Sequence, residues 1–238
     1  MKVAIMQPYF FPYIGYFQLI NSVDTFVFMD NVNYMKKSWI NRNYILLNGQ
    51  KHLLTIPCQS VSQNKAINLV QVDNENKAYK NVLKTIEVAY QKKAPYYNSV
   101  FPIINNLVPS YSGNIAGLSI ESVVSTCRYL GINTKFLVAS EDLSENTDMG
   151  RTEMMISICK TLGANELINA IGGMDFYDKN DFSKQGINLS FINIKLCENL
   201  YYSQGEQQSF IPCLSIIDVM MFNSVKKIGK MLVNCEFL

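Results

Sequence analysis

The chain has 238 residues, 48% of them hydrophobic and 17% charged, with a net charge of +2 at neutral pH. That length can bury a sizeable core, and the composition argues against disorder. A near-neutral charge without a sustained basic stripe argues against a nucleic-acid partner, and the lack of any apolar run of about 18 residues argues against stable membrane insertion.

Val3 to Met6 form an apolar run that Gln7 and Pro8 terminate, because proline has no N–H to give to a sheet ladder. The run predicts a buried strand. Pro12 can open a helix whose apolar stripe is Tyr13, Phe17 and Ile20, and Thr25 to Met29 is a second apolar run ending at Asp30. The unit therefore reads strand, loop, helix, strand, with a buried parallel pair. Gln7 and Asp30 fall at its carboxyl edge, where open α/β sheets bind ligands. The following loop is dense in polar and aromatic residues, among them Asn31, Asn33, Lys37, Trp39, Arg42 and Asn43. It is either a solvated connection or a ligand-facing one.

Tyr44 to Leu47 and Lys51 to Ile56 flank Asn48-Gly49, the strongest short hairpin signal. The hairpin is expected to project from the sheet edge. His52, the sole histidine, lies on its second strand, as a half-exposed strand residue or a general base. A polar excursion follows, with a short strand at Ile67 to Val72 and a helix carrying Val82, Ile86, Ala89 and Tyr90 that ends near Lys93. Residues 44–110 thus read as a hairpin and helical excursion within a single α/β domain spanning 1–238. Further on, the pattern predicts a helix from Ser119 to the Gly131 cap and a strand at Lys135 to Ala139. A helix through Met154, Met155, Ile158 and Cys159 comes next, then a strand at Leu167-Ile168, a turn at Gly172-Gly173 and a helical segment from Phe176 to Lys184. Ile187 to Ile194 is read as the final strand, and Ser215 has capping-box spacing to Asp218 for a helix running through Val225. The second half alternates strand and helix, as parallel βαβ units do.

The six cysteines are scattered without C-x-x-C spacing, so neither a metal cluster nor a redox motif is indicated. No signal-peptide pattern opens the chain, which leads to an expectation of reduced thiols and a cytoplasmic protein. Cys127 and Cys159 fall on apolar helix faces, and Cys58 and Cys213 follow prolines with no base nearby, so covalent cysteine catalysis is not favoured. No metal ligand set and no cofactor is expected.

The stretches MQPYFFPYIGYFQLI and DTFVFMDNVNYMKKSWINRN resemble the opening of the WbqC-like protein family of bacterial surface-polysaccharide gene clusters, and weaker likeness continues through LTIPC, KTIEVAYQKKAPYY, ISICKTLGA and LSIIDVMMFN. Tyr13-Ile14-Gly15-Tyr16 is similar to the His-x-Gly-His signature of nucleotidylyl transferases and class I tRNA synthetases with both histidines replaced by tyrosine. Together these resemblances imply a Rossmann-like (HUP, nucleotidylyltransferase-like) α/β fold with a mostly parallel sheet. Gly150-Arg151-Thr152-Glu153, at a predicted helix start, is a candidate phosphate-binding turn, although a simple helix cap by Thr152 or a neighbour explains it better.

The function that the resemblance implies is surface-polysaccharide (O-antigen) biosynthesis. Within it, the expected activity is transfer of an acyl or aminoacyl group, glycyl for example, to the amine of a nucleotide-linked amino sugar, with an acyl or aminoacyl carrier protein as a further partner. A glycosyltransferase and a non-catalytic nucleotide-binding scaffold are the alternatives. Asp30 and His52 are the candidate proton acceptors. Gln7, Tyr9, Tyr13, Gly15, Tyr16, Asn31, Lys37, Trp39, Arg42, Asn43, Arg151 and Thr152 are the candidate substrate contacts, with Lys37, Arg42 and Arg151 meeting a diphosphate.

Overall fold

The architecture is that of a computed structural model, which describes residues 1–109, 111–143, 149–193, 202–205 and 209–238. Strand β1 (Lys2–Met6) buries Val3, Ala4 and Ile5, and β2 (Thr25–Phe28) is buried throughout. Between them α1 (Ile14–Asn21) crosses back, so that Val3 pairs with Thr25 and Met6 with Phe28 in parallel register. The hairpin is β3 (Arg42–Leu47) and β4 (Gln50–Thr55). Its turn places Asn48 and Gly49 at φ 51° and 76°, the left-handed pair that a type I′ turn requires.

Four helices follow: α2 (Lys77–Lys80), α3 (Val82–Tyr90), α4 (Tyr97–Leu107) and α5 (Ile115–Leu130). Strand β5 (Lys135–Val138), the single-turn α6 (Ala139–Asp142), α7 (Arg151–Thr161), β6 (Glu166–Ala170), α8 (Lys179–Ser183) and β7 (Asn188–Asn193) then alternate. Helices α9 (Ile216–Phe222) and α10 (Val225–Leu232) and the two-residue β8 (Glu236–Phe237) complete the described elements.

The six described strands of the main sheet run in the order β5-β2-β1-β6-β7-β8, parallel except for β8, and β3-β4 form a separate antiparallel pair. From β1 the chain proceeds outward through β2 and β5, then returns to the other flank of β1 with β6 and β7. Winding reverses between β1 and β6. This α/β arrangement is consistent with a Rossmann-like sheet.

The two faces follow from strand alternation. Ala4, Phe26 and Phe28 face one core, shared with residues of α1, α5, α9 and α10, whereas Val3, Ile5, Val27 and Met29 face the other, with Met155, Ile158 and Cys159 of α7 and Phe182 of α8. Both faces are covered, which is why β1 and β2 read as continuous apolar runs.

Several local expectations differ from the structure. The stretch expected as a strand at Ile67 to Val72 is a 3-10 turn at Ile67–Leu69, with isolated bridges at Gln71 and Val72. Helix α5 starts at Ile115, before Ser119, because Asn114 Oδ1 accepts from Gly117 N and caps it there. Helix α4 was not legible, since Pro102 lies inside it. The C-terminal helix breaks at Asn223, whose extended backbone (φ −133°) ends α9, and Ser224 caps α10. The segment from Phe176 to Lys184 divides into a 3-10 turn ending at Phe176 and the short α8 capped by Asp178. β7 is not the last strand, because Glu236–Phe237 pairs with its edge; Ile194, expected in that strand, lies outside the described residues. The hairpin does not extend the sheet edge. It docks on α3 and α9, with Tyr90 Oη accepting from Leu46 N at 3.3 Å and Tyr44 O accepting from Ser215 N at 2.7 Å.

The loop between β1 and α1 is fastened at one peptide. Phe11, fully buried, has φ 37°, a conformation that L residues rarely adopt. Its carbonyl accepts from Asn43 Nδ2 (2.8 Å) and Ser215 Oγ (2.7 Å), and its N–H donates to Ser122 Oγ (3.0 Å).

Candidate functional site

A cleft of about 770 Å³ opens at the carboxyl edge of the sheet, beside the reversal of winding between β1 and β6. Strand ends supply amides: Gln7 after β1, Asn31 after β2 and Asn169 on β6. The apolar pattern of each strand ends there because its last residues leave the sheet and no longer need a hydrophobic partner.

Asn31 Oδ1 is buried and has no hydrogen-bond partner. An orphan acceptor beneath an open cleft is the position where a ligand donor relieves a desolvation penalty. Asn169 is oriented by its own strand: its Oδ1 accepts from Ala170 N at 2.8 Å. Gly173 leaves room for it, because a Cβ at that position would lie 3.2 Å from Asn169 Cγ and Nδ2.

Aromatic residues make part of the wall. Half-buried Tyr9 meets the Tyr16 ring at 5.6 Å, and burial pushes its phenol pKa up. Tyr177 is also pushed up by burial, with the Arg151 charge and the Asn169 amide opposing that shift. The Arg151 guanidinium lies over the exposed Phe176 ring, 5.1 Å from its centroid. Arg151 is the first residue of α7, and Gly150 N donates to Glu153 Oε2 at 3.2 Å. The first turn of α7 thus brings the positive end of a helix dipole beside the cleft, an arrangement that favours anions.

Of the residues singled out in the sequence, Gln7, Tyr9, Asn31 and Arg151 line this cleft. Tyr16 supports it from below, its hydroxyl donating to Gln7 O at 2.8 Å. Asp30 lies beside the cleft and is 3% exposed; its two carboxylate oxygens accept from Ser140 N (3.0 Å) and Ser140 Oγ (2.5 Å), which brace the start of α6.

The remaining candidates are placed elsewhere. Tyr13 is the N-cap residue of α1, bridged to Ser215, and Gly15 is buried in the first turn of that helix. Thr152 is half-buried on α7 and is not among the lining residues. The Arg42 guanidinium donates to the carbonyls of Ser38, at 3.1 Å, and Lys37, so it ties the loop to itself; Lys37 is exposed with φ 62°. Trp39, 43% exposed, packs edge-on against Tyr44, and Asn43 serves the Phe11 carbonyl. His52 is exposed on β4, opposite Ile45. The cations expected to converge on a diphosphate therefore do not meet: only Arg151 of the three lines the cleft.

Burial raises the thiol pKa of Cys58, Cys127 and Cys159 to about 12 each, which disfavours thiolates there. Cys213 is disulfide-bonded, a departure from the expectation of reduced thiols throughout. Among the described residues there is no group of three or more His, Cys, Asp or Glu positioned to hold a metal, and no helix long and apolar enough to cross a membrane.

The sequence reading missed Asn169, Gly173, Phe176, Tyr177 and the methionines of the cleft. Asn169 could have been found, since it is the polar break at the end of the run Leu167-Ile168 and precedes a Gly-Gly pair. The methionines could not, because they come together only through the sheet.

A model of the WbqC-like protein family matches residues 7–230. The uncharacterized protein Rv1507c of Mycobacterium tuberculosis is 29% identical over 227 residues, covering 93% of each chain. No solved structure matches.

Proposed function

The chain belongs to the WbqC-like protein family, and from that premise we propose that it is a transferase of bacterial surface-polysaccharide (O-antigen) biosynthesis, moving an acyl or aminoacyl group to the amine of a nucleotide-linked amino sugar. In this reading it is one α/β domain with a HUP-like sheet, works in the cytoplasm, and takes its donor from a small thioester or an acyl carrier protein.

The observation that carries the proposal is the cleft at the carboxyl edge, whose lining includes Asn31, with its buried, unpartnered Oδ1, and Arg151 in the first turn of α7. A nucleotide-linked sugar offers what these groups lack: N–H and O–H donors for Asn31, an anion for Arg151 and the helix terminus, and flat surfaces for Tyr9 and Tyr177. Asn169 is placed to donate to a sugar or base oxygen. In the transfer the acceptor nitrogen attacks the donor carbonyl and its proton passes to the departing thiolate; Asp30, buried with both oxygens held by Ser140, fixes the chain beside Asn31 instead of taking that proton.

The test is titration calorimetry of the purified protein with UDP-glucosamine, followed by mass spectrometry of mixtures containing acyl thioesters. The expected result is saturable binding that Arg151→Ala and Asn31→Ala each weaken at least tenfold, and a product heavier by the acyl mass with the nucleotide retained. Release of free nucleotide would mark glycosyl transfer instead. No binding of any nucleotide would remove the cleft from the proposal.

A further inference from the structure

The cleft also contains Met6, Met29, Met35, Met149, Met154 and Met155, six of the chain's 11 methionines. They come from the end of β1, the end of β2, the loop after it and the entrance to α7, so no local sequence preference explains their meeting. Their exposure is graded from floor to mouth: Met155 and Met29 are 6% and 3% exposed, Met149 and Met35 45% and 57%.

We infer that this methionine wall is a subsite for a flexible, unbranched alkanoyl chain on the donor; the assignment to the donor rests on the acyl-transfer reading above. Methionine is unbranched and polarizable, with three rotatable side-chain bonds, so a wall of methionines repacks around chains of different lengths with little strain. β-Branched residues, stiff at χ1, would fix one shape. The methionines are interleaved with the cleft's polar groups: Met6 and Met29 precede Gln7 and Asn31 at the strand ends, and Met149, Met154 and Met155 flank Arg151 at the entrance to α7. Polar acceptor and apolar donor group are thereby assigned to adjoining parts of one cavity. Its volume, about 770 Å³, lies in the upper half of the range of ligand pockets, roughly 300–1,000 Å³. A glycyl group has no alkyl carbon chain to bury against the thioethers; an alkanoyl group does. In the step itself the acceptor nitrogen forms the C–N bond, the C–S bond of the thioester breaks, and the proton from nitrogen ends on the departing thiol.

Titration of the protein with acetyl, butyryl, hexanoyl and octanoyl thioesters of N-acetylcysteamine tests the inference directly. Binding is expected to tighten about fourfold for each methylene buried, up to a length limit. Met154→Trp should move that limit to shorter chains. Met35→Glu, at an exposed position where folding is not at stake, should weaken binding of the longer chains at the mouth. Affinity that does not rise with chain length, or a limit unmoved by both variants, overturns the subsite. The UDP-glucosamine titration separates the two readings. Chain-length dependence without nucleotide binding would keep the alkanoyl subsite and sink the nucleotide acceptor; nucleotide binding without chain-length dependence would do the reverse.

Discussion

Asn43 stood out in the sequence as a polar residue in a rich loop, and its side chain instead holds the chain's own backbone. Its Nδ2 donates to the carbonyl of Phe11, an acceptor shared with Ser215 Oγ, and its Oδ1 accepts from Tyr44 N at 2.8 Å. Asn43→Ala should destabilise the fold by about 1–3 kcal/mol, the range for leaving buried groups unsatisfied, read as a lower urea midpoint with unchanged slope. Asp218 makes the opposite case. It is fully buried, Tyr90 Oη donates to its Oδ1 at 3.0 Å, Oδ2 has no partner, and burial raises its pKa from 3.8 to about 7. A carboxyl whose folded pKa is raised favours the fold while protonated. Its penalty is absent below the unfolded value, grows as pH rises from there toward the folded one, and levels off above it, on the order of 4 kcal/mol when fully developed. Asp218→Asn should therefore raise the melting temperature relative to wild type more at pH 8 than at pH 5; an equal difference at both would show that Asp218 is not protonated in the fold. Sequence spacing correctly placed Ser215 as the cap of this helix, but burial of the carboxyl three positions later depends on α3 and is not written locally.

At the scale of elements, strands and the hairpin were legible because each carries its own signal: apolar runs of four or five residues, and Asn-Gly at the turn. What failed were places where tertiary contacts override local rules. Pro102 inside α4 would end most helices, and that one persists with Val100 and Ile104 fully buried in the core. The 3-10 turn at Ile171–Phe176 is another. It carries Gly172 and Gly173 along the cleft, and the absent Cβ at Gly173 lets Asn169 keep its position. Gly173→Ala should accordingly weaken UDP-glucosamine binding several-fold with little change in melting temperature, since the displaced group is one side-chain amide at a cleft and not a packed core. A loss of stability in step with the loss of binding would show that Gly173 serves the fold alone.

For the whole molecule, the parallel sheet and its covered faces followed from two runs of unbroken hydrophobicity, and a cleft lined by Gln7 and Asn31 opens at the carboxyl edge to which those runs pointed. Strand order was not legible, and with it the membership of the site. Asn31 and Arg151 share a cleft because β6 returns beside β1 after β5 has been laid down, a fact that no spacing in the sequence encodes. Lys37 and Arg42 looked equally suitable by charge, yet the Arg42 guanidinium is engaged with loop carbonyls.

The fastening of Phe11 bears on the order in which this chain can reach its final form. Its three partners lie 32, 111 and 204 residues further along. Contacts between residues so distant in sequence carry a large loop-closure entropy and form late. During synthesis the loop after β1 leaves the ribosome before the segments that fasten it, and its left-handed peptide lacks its full set of bonds until Ser215 has emerged and docked. The segment that opens the cleft is made well before it is secured, so a chain that stops short of Ser215 has no finished site to offer a substrate.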